Sequence, residues 1–119
     1  MNMRRLIFIS LILLALTSCK KEDIYDDPGY AIGTITKSTT IAYVLTFYYE
    51  YSIGTTTYKG TKQGGISNSN ESYMIGNQYL VVYNLTKPKK SDLNFAYPVN
   101  SEQEFLDLVA GFKNNPPKP

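Results

Sequence analysis

Twelve consecutive residues, Thr40 to Tyr51, read TIAYVLTFYYEY, and no other stretch restricts the fold as tightly. β-Branched and aromatic side chains recur at every second position, the period of a pleated strand and not of a helix. The odd positions, Ile41, Tyr43, Leu45, Phe47, Tyr49 and Tyr51, are predicted to face a core. The even positions, Ala42, Val44, Thr46, Tyr48 and Glu50, form a mixed face that is partly covered or wet.

Partner strands flank this run. Ala31 to Lys37 reads as a shorter strand, with Ser38-Thr39 as a turn. Ser52 to Thr55 reads as a hairpin turn in which Gly54 takes a positive φ, leading into a strand over Thr56 to Gln63. A polar loop, Gly64 to Glu71, follows. Asn77 to Asn84 is a further strand with two apolar faces, Tyr79, Val81 and Tyr83 on one and Leu80 and Val82 on the other. It therefore belongs in the middle of the sheet or beneath a helix. Leu85 to Ser91 is a lysine-bearing turn, and Leu93 to Tyr97 is a last strand stopped by Pro98. Ser101 and Glu104 form a capping box. Phe105, Leu106, Leu108, Val109 and Phe112 form the apolar stripe of the helix behind it, which Gly111 and the run to Pro117 end. The expected fold is mainly β: a five-stranded antiparallel meander or small open barrel with one C-terminal helix, over residues 30–112, followed by a disordered tail at 113–119.

Residues 1–18 do not belong to that domain. Arg4 and Arg5 precede an apolar run from Leu6 to Thr17, the layout of a cleaved secretory signal. The run is short for a permanent span, which needs roughly 20 apolar residues. The chain's one cysteine, Cys19, follows Leu16, Thr17 and Ser18. This aliphatic-small-small-Cys sequence resembles the lipobox of bacterial lipoproteins. The resemblance covers the first 19 residues and implies diacylglyceryl transfer to the Cys19 thiol, cleavage before it and acylation of the new amino terminus. It accounts for a solitary thiol, because an acyl acceptor needs no disulfide partner. Two or three acyl chains together make such an anchor effectively permanent.

Behind Cys19 stands Lys20-Lys21-Glu22-Asp23-Ile24-Tyr25-Asp26-Asp27-Pro28-Gly29. Its polarity predicts a flexible tether over residues 19–29. The charged patch resembles the export signal of surface lipoproteins of the Bacteroidota, which implies display on the outer face of the outer membrane. A second resemblance covers about 45 residues, Tyr49-Glu50-Tyr51 through Gly54 and Tyr58 to Val82-Tyr83, Pro88 and Ser91. It is similar to uncharacterised small bacterial β domains; Ile53 and Lys87 depart from that pattern. It implies an all-β hairpin core and no activity.

The residue inventory excludes several classes of chemistry. There is no histidine, so the commonest general base and zinc ligand are missing. No glycine-rich phosphate loop joins a strand to a helix. Asp26-Asp27 reads as part of the tether, and Glu102 with Glu104 as helix capping. Glu22, Asp23, Asp26 and Asp27 lack the alternating spacing of a calcium loop. Loss of Arg4 and Arg5, the only arginines, leaves ten lysines against ten acids, with no basic excess for nucleic acid. No catalytic residue, metal or cofactor is therefore assigned. The candidate binding surface is Tyr48, Tyr58 and Tyr73 as an aromatic platform, together with the basic turn of Lys87, Lys89 and Lys90. The functional expectation is a membrane-anchored, non-enzymatic module that binds a protein or glycan at the cell envelope. Its competitor is a lipoprotein that neutralises a toxin.

Overall fold

The computed structural model describes residues 20–66 and 74–119. A short helix, α1 (Lys20–Asp26), leads into strands β1 (Pro28–Ile41), β2 (Val44–Ile53), β3 (Thr56–Ile66), β4 (Gln78–Asn84) and β5 (Ser91–Pro98). Helix α2 (Glu102–Gly111) ends the order. The strands form one open sheet in the order β3-β2-β1-β4-β5, and every neighbouring pair is antiparallel. The mainly β class, the strand count and the C-terminal helix agree with the sequence. The chain does not lay its strands down in sequence order, however. After β3 it returns to the far side of β1, so the first four strands form a Greek key, and β5 adds to β4 as a hairpin.

The odd face of β2 is core, as its period implies. Leu45, Phe47, Tyr49 and Tyr51 are buried with Ala31, Ile35, Val81, Tyr83 and Leu93 inside the curl of the sheet. Wide rings fit there because β3 places glycines opposite them. Tyr49 pairs with Gly60, and a Cβ on Gly60 would overlap the Tyr49 ring. The outer face buries Leu80 and Val82 beneath Ile24 and Phe112, with Phe105, Leu108 and Val109 packed around them. Both faces of β4 are thus covered, as its unbroken apolar run predicts. Ser101 caps α2 by accepting the Glu104 amide at 3.1 Å. Leu106, counted in the apolar stripe, faces solvent.

Four expectations are corrected. The turn predicted at Ser38-Thr39 lies instead at Ala42-Tyr43, between the paired residues Ile41 and Val44. The strand read as continuous from Thr40 to Tyr51 is therefore split between β1 and β2, and Ile41 and Tyr43 leave the core. Both turn residues hold positive φ, 51° and 65°, a geometry normally marked by Asn-Gly. No turn-forming residue marks the bend, so the periodic pattern masked it. Lys20–Asp26, predicted as a flexible tether, is helical and docked: Ile24 is 7% exposed. One apolar and one aromatic residue suffice to hold it once a groove exists. The tail after Phe112, predicted to be disordered, packs back on the sheet. Pro117 is buried, and the Lys118 carbonyl accepts from Asn94 at 2.9 Å.

Candidate functional site

Two features stand out from this scaffold, at opposite ends of β1. The first is a polar latch where the free edges of the sheet approach each other. No strand ladder joins β3 to β5. Lys62 on β3 instead reaches Asp92 on β5, Nζ to Oδ1 at 2.6 Å, with both side chains largely buried. Tyr25 of α1 donates to the other Asp92 oxygen at 2.7 Å. Asn94, also on β5, donates to the Tyr25 hydroxyl at 3.1 Å and to the Lys118 carbonyl. The latch therefore gathers both ends of the described chain and both sheet edges at one place. Two β2 tyrosines close over it from inside the curl. Tyr49 shares a 2.7 Å hydrogen bond with Ser91, and Tyr51 donates to the Pro88 carbonyl at 2.6 Å.

Beside the latch opens a cleft of about 750 Å³, lined by Ile24, Tyr49, Gly60, Lys62, Lys89 and Asp92 among others. Tyr49 in its wall and Tyr25 at the adjoining latch are phenols raised above their ordinary value. Burial pushes the Tyr25 hydroxyl far up, and the Asp92 carboxylate pushes it further. Burial raises Tyr49 likewise, against a lowering by the Ser91 hydrogen bond. A phenol shifted this way is a poor general base. Among the described residues no group of three or more His, Cys, Asp or Glu stands together to hold a metal. The members of the cluster satisfy one another's buried polar atoms, and no described buried side-chain nitrogen or oxygen lacks a partner.

The second feature is the β1–β2 hairpin tip. Beyond Thr34, which pairs with Gln78, β1 has no further partner in β4, and β1 and β2 run on with β3. Thr36 is an extra residue in the ladder, a bulge between Ile35 and Lys37. It reverses which β1 side chains point outward and brings Ile41 and Val44 together on one face. At the tip Ile41 is 75%, Tyr43 81% and Val44 42% exposed. Two left-handed residues that are not glycine, asparagine or aspartate cost about 1–2 kcal/mol each. Strain of this kind, spent to display apolar side chains, is characteristic of a site that meets another molecule.

The candidate residues read from the sequence are scattered. Tyr48 is exposed on the outer face of β2, with the Lys37 ammonium 5.4 Å above its ring. Tyr58 points into the curl, stacked 5.5 Å from Tyr51, so it forms no platform with Tyr48. Tyr73 lies outside the described residues, as do Leu16, Thr17, Ser18 and Cys19. Lys87 and Lys89 are exposed in the β4–β5 turn, and neither forms an ion pair with a described residue. Lys90 pairs with Asp23 at 3.1 Å. Sequence reasoning missed the tip because it assigned Ile41 and Tyr43 to the core. It missed the latch because Tyr25, Lys62, Asp92 and Asn94 are dispersed along the chain. The signal available was Asp92 and Asn94, polar residues alternating with Leu93 in a strand.

No family model matches this chain, and neither a curated protein nor a solved structure is significantly similar to it. Among the described residues, no helix is long and apolar enough to cross a membrane.

Proposed function

We propose that this chain is an exported lipoprotein, acylated on Cys19 after loss of residues 1–18. It holds a small non-enzymatic binding module at the outer membrane, displayed on the cell surface. The reading is carried by the order of parts in the sequence: positive start, apolar run, Leu16-Thr17-Ser18, then the only cysteine. The hairpin tip supplies the binding end, and its partner is a protein, since apolar anchors of the size of Ile41 and Tyr43 suit a protein cleft. Tyr48, with Lys37 over its ring, favours a second reading in which a glycan stacks on the outer face of β2.

Intact mass of the mature chain extracted from membranes tests the anchor. The expected chain begins at Cys19 and carries acyl groups, whereas Cys19→Ala leaves an unlabelled precursor. Crosslinking through a photoreactive residue at position 43 in live envelopes tests the binding end. Capture of a defined protein is expected at position 43 and not at position 59. Equal capture at both would refute a role for the tip. If the captured protein is a toxin whose effect this chain suppresses, the competing toxin-neutralising reading replaces a general binding role.

A further inference from the structure

The charged segment behind Cys19 is not slack. It is α1, fastened to the sheet by the buried Ile24, by Tyr25 on Asp92, by the Asp23–Lys90 ion pair and by Asn84 donating to the Asp23 carbonyl at 2.7 Å. A coil of ten residues would let the domain stand off by roughly 17 Å on average. The helix removes that freedom. Four residues of helix rise about 6 Å, and one peptide step adds 3.8 Å. The Cys19 Cα therefore lies within about 10 Å of the Cα of the buried Ile24.

We propose that the end of the domain bearing α1 and the β4–β5 turn rests on the phospholipid headgroup layer, with the β1–β2 tip directed away from it. This inference rests on the acylation of Cys19. The residues at that end suit the position. Leu85 is 53% exposed, and the exposed Lys87 and Lys89 extend long apolar stems that end in a cation, a shape suited to an interface. The charges of the described residues there cancel: Lys87, Lys89 and Lys90 stand against Asp23, Asp26 and Asp27. The contact is thus imposed by covalent reach and not by attraction to anionic lipid, so it is insensitive to headgroup charge and to salt. β1 takes thirteen steps of about 3.3 Å from Pro28 to Ile41, which places the tip roughly 40 Å from the surface when β1 stands upright.

The test uses the full mature, acylated chain in phosphatidylcholine vesicles doped with a headgroup-labelled quencher. A fluorophore is attached to Lys89→Cys or to Tyr43→Cys; the acylated sulfur of Cys19 cannot react. Quenching severalfold stronger at position 89 than at 43 is expected. It should be unchanged when anionic lipid is added, and lost when a long Gly-Ser segment is inserted between Cys19 and Lys20. Equal quenching at both positions in vesicles that carry the protein overturns the orientation while leaving the anchor standing. Quenching at 89 that requires anionic lipid overturns the covalent-reach argument. A mature chain whose mass shows no acyl groups, and which does not float with vesicles, overturns the anchor and this inference with it.

Discussion

Replacing Tyr25 by phenylalanine removes one oxygen and isolates the energy of the latch. The ring stays, so the apolar burial of α1 is preserved and the transfer contribution hardly changes. What is lost is the 2.7 Å hydrogen bond to Asp92, a side chain that is 7% exposed. Hydrogen bonds to charged groups are worth about 1.5–3 kcal/mol. Two features place this one in the lower half of that range. Asp92 keeps Lys62 at 2.6 Å, and Asn94 keeps the Lys118 carbonyl as a second acceptor. A loss of about 2 kcal/mol corresponds to roughly 30-fold in the equilibrium for α1 undocking, at 1.4 kcal/mol per tenfold. The reporter is the Leu85 amide, which donates to the Asp27 carbonyl at 3.0 Å and is released when the junction between α1 and β1 opens. Native-state hydrogen exchange should show it roughly 30-fold faster in Tyr25→Phe. The amides of Val81 and Val82 in the covered strand β4 should slow or quicken far less. Leu85 exchange within threefold of the parent would refute the reasoning, because α1 would then be held by Ile24 alone or be undocked already.

Further outcomes follow from the same geometry. The Tyr25 and Tyr51 hydroxyls are raised above an ordinary value of 10.0, by burial before any other cause. A raised folded-state pKa contributes stability that is fully present below the unfolded value and is lost as pH climbs towards the folded one. Chemical denaturation should therefore show no tyrosine-linked change up to about pH 9 and a fall above pH 10, shallower in Tyr25→Phe. Gly60→Ala should cost about 1–3 kcal/mol by crowding the Tyr49 ring, read as a lower denaturation midpoint with an unchanged slope. The double change Ala42→Asn with Tyr43→Gly should stabilise the fold by about 1 kcal/mol or more, since it relieves both left-handed residues. The same variant, with the photoreactive residue moved to position 44, should lose the partner capture that the parent shows from position 44; retained capture would remove the tip from the binding surface. Ser101→Ala should cost about 0.5–2 kcal/mol through loss of the α2 cap, measured by thermal unfolding.

How legible the fold was depended on the range of the interactions involved. The alternation from Leu45 to Tyr51, the hairpin at Gly54 and the cap at Ser101 are local, and each is readable because the residue type itself carries the preference. Gly54 does take φ 60°. The two apolar faces of β4 were equally plain, because a strand buried on both sides has no polar face to show. The bend at Ala42-Tyr43 was not legible, since neither residue favours positive φ and the pattern runs through it unbroken. Only the pairing of β1 with β2 imposes it.

The candidate site divides in the same way. The acyl-accepting motif proposed for this chain is a linear signal, four adjacent residues from Leu16 to Cys19. A latch is a convergence: Tyr25, Lys62, Asp92 and Asn94 meet because the Greek key brings the two free edges of a curled sheet together. Composition and order thus determined a small, tyrosine-rich β domain with a solitary thiol ahead of it. The turning of Lys20–Asp26 from an apparent tether into a fixed strut was decided only by the tertiary structure. A charged heptapeptide has too little apolar surface to fold alone, and α1 becomes stable when β4, β5 and the 85–90 turn supply a groove for Ile24 and partners for Asp23 and Tyr25.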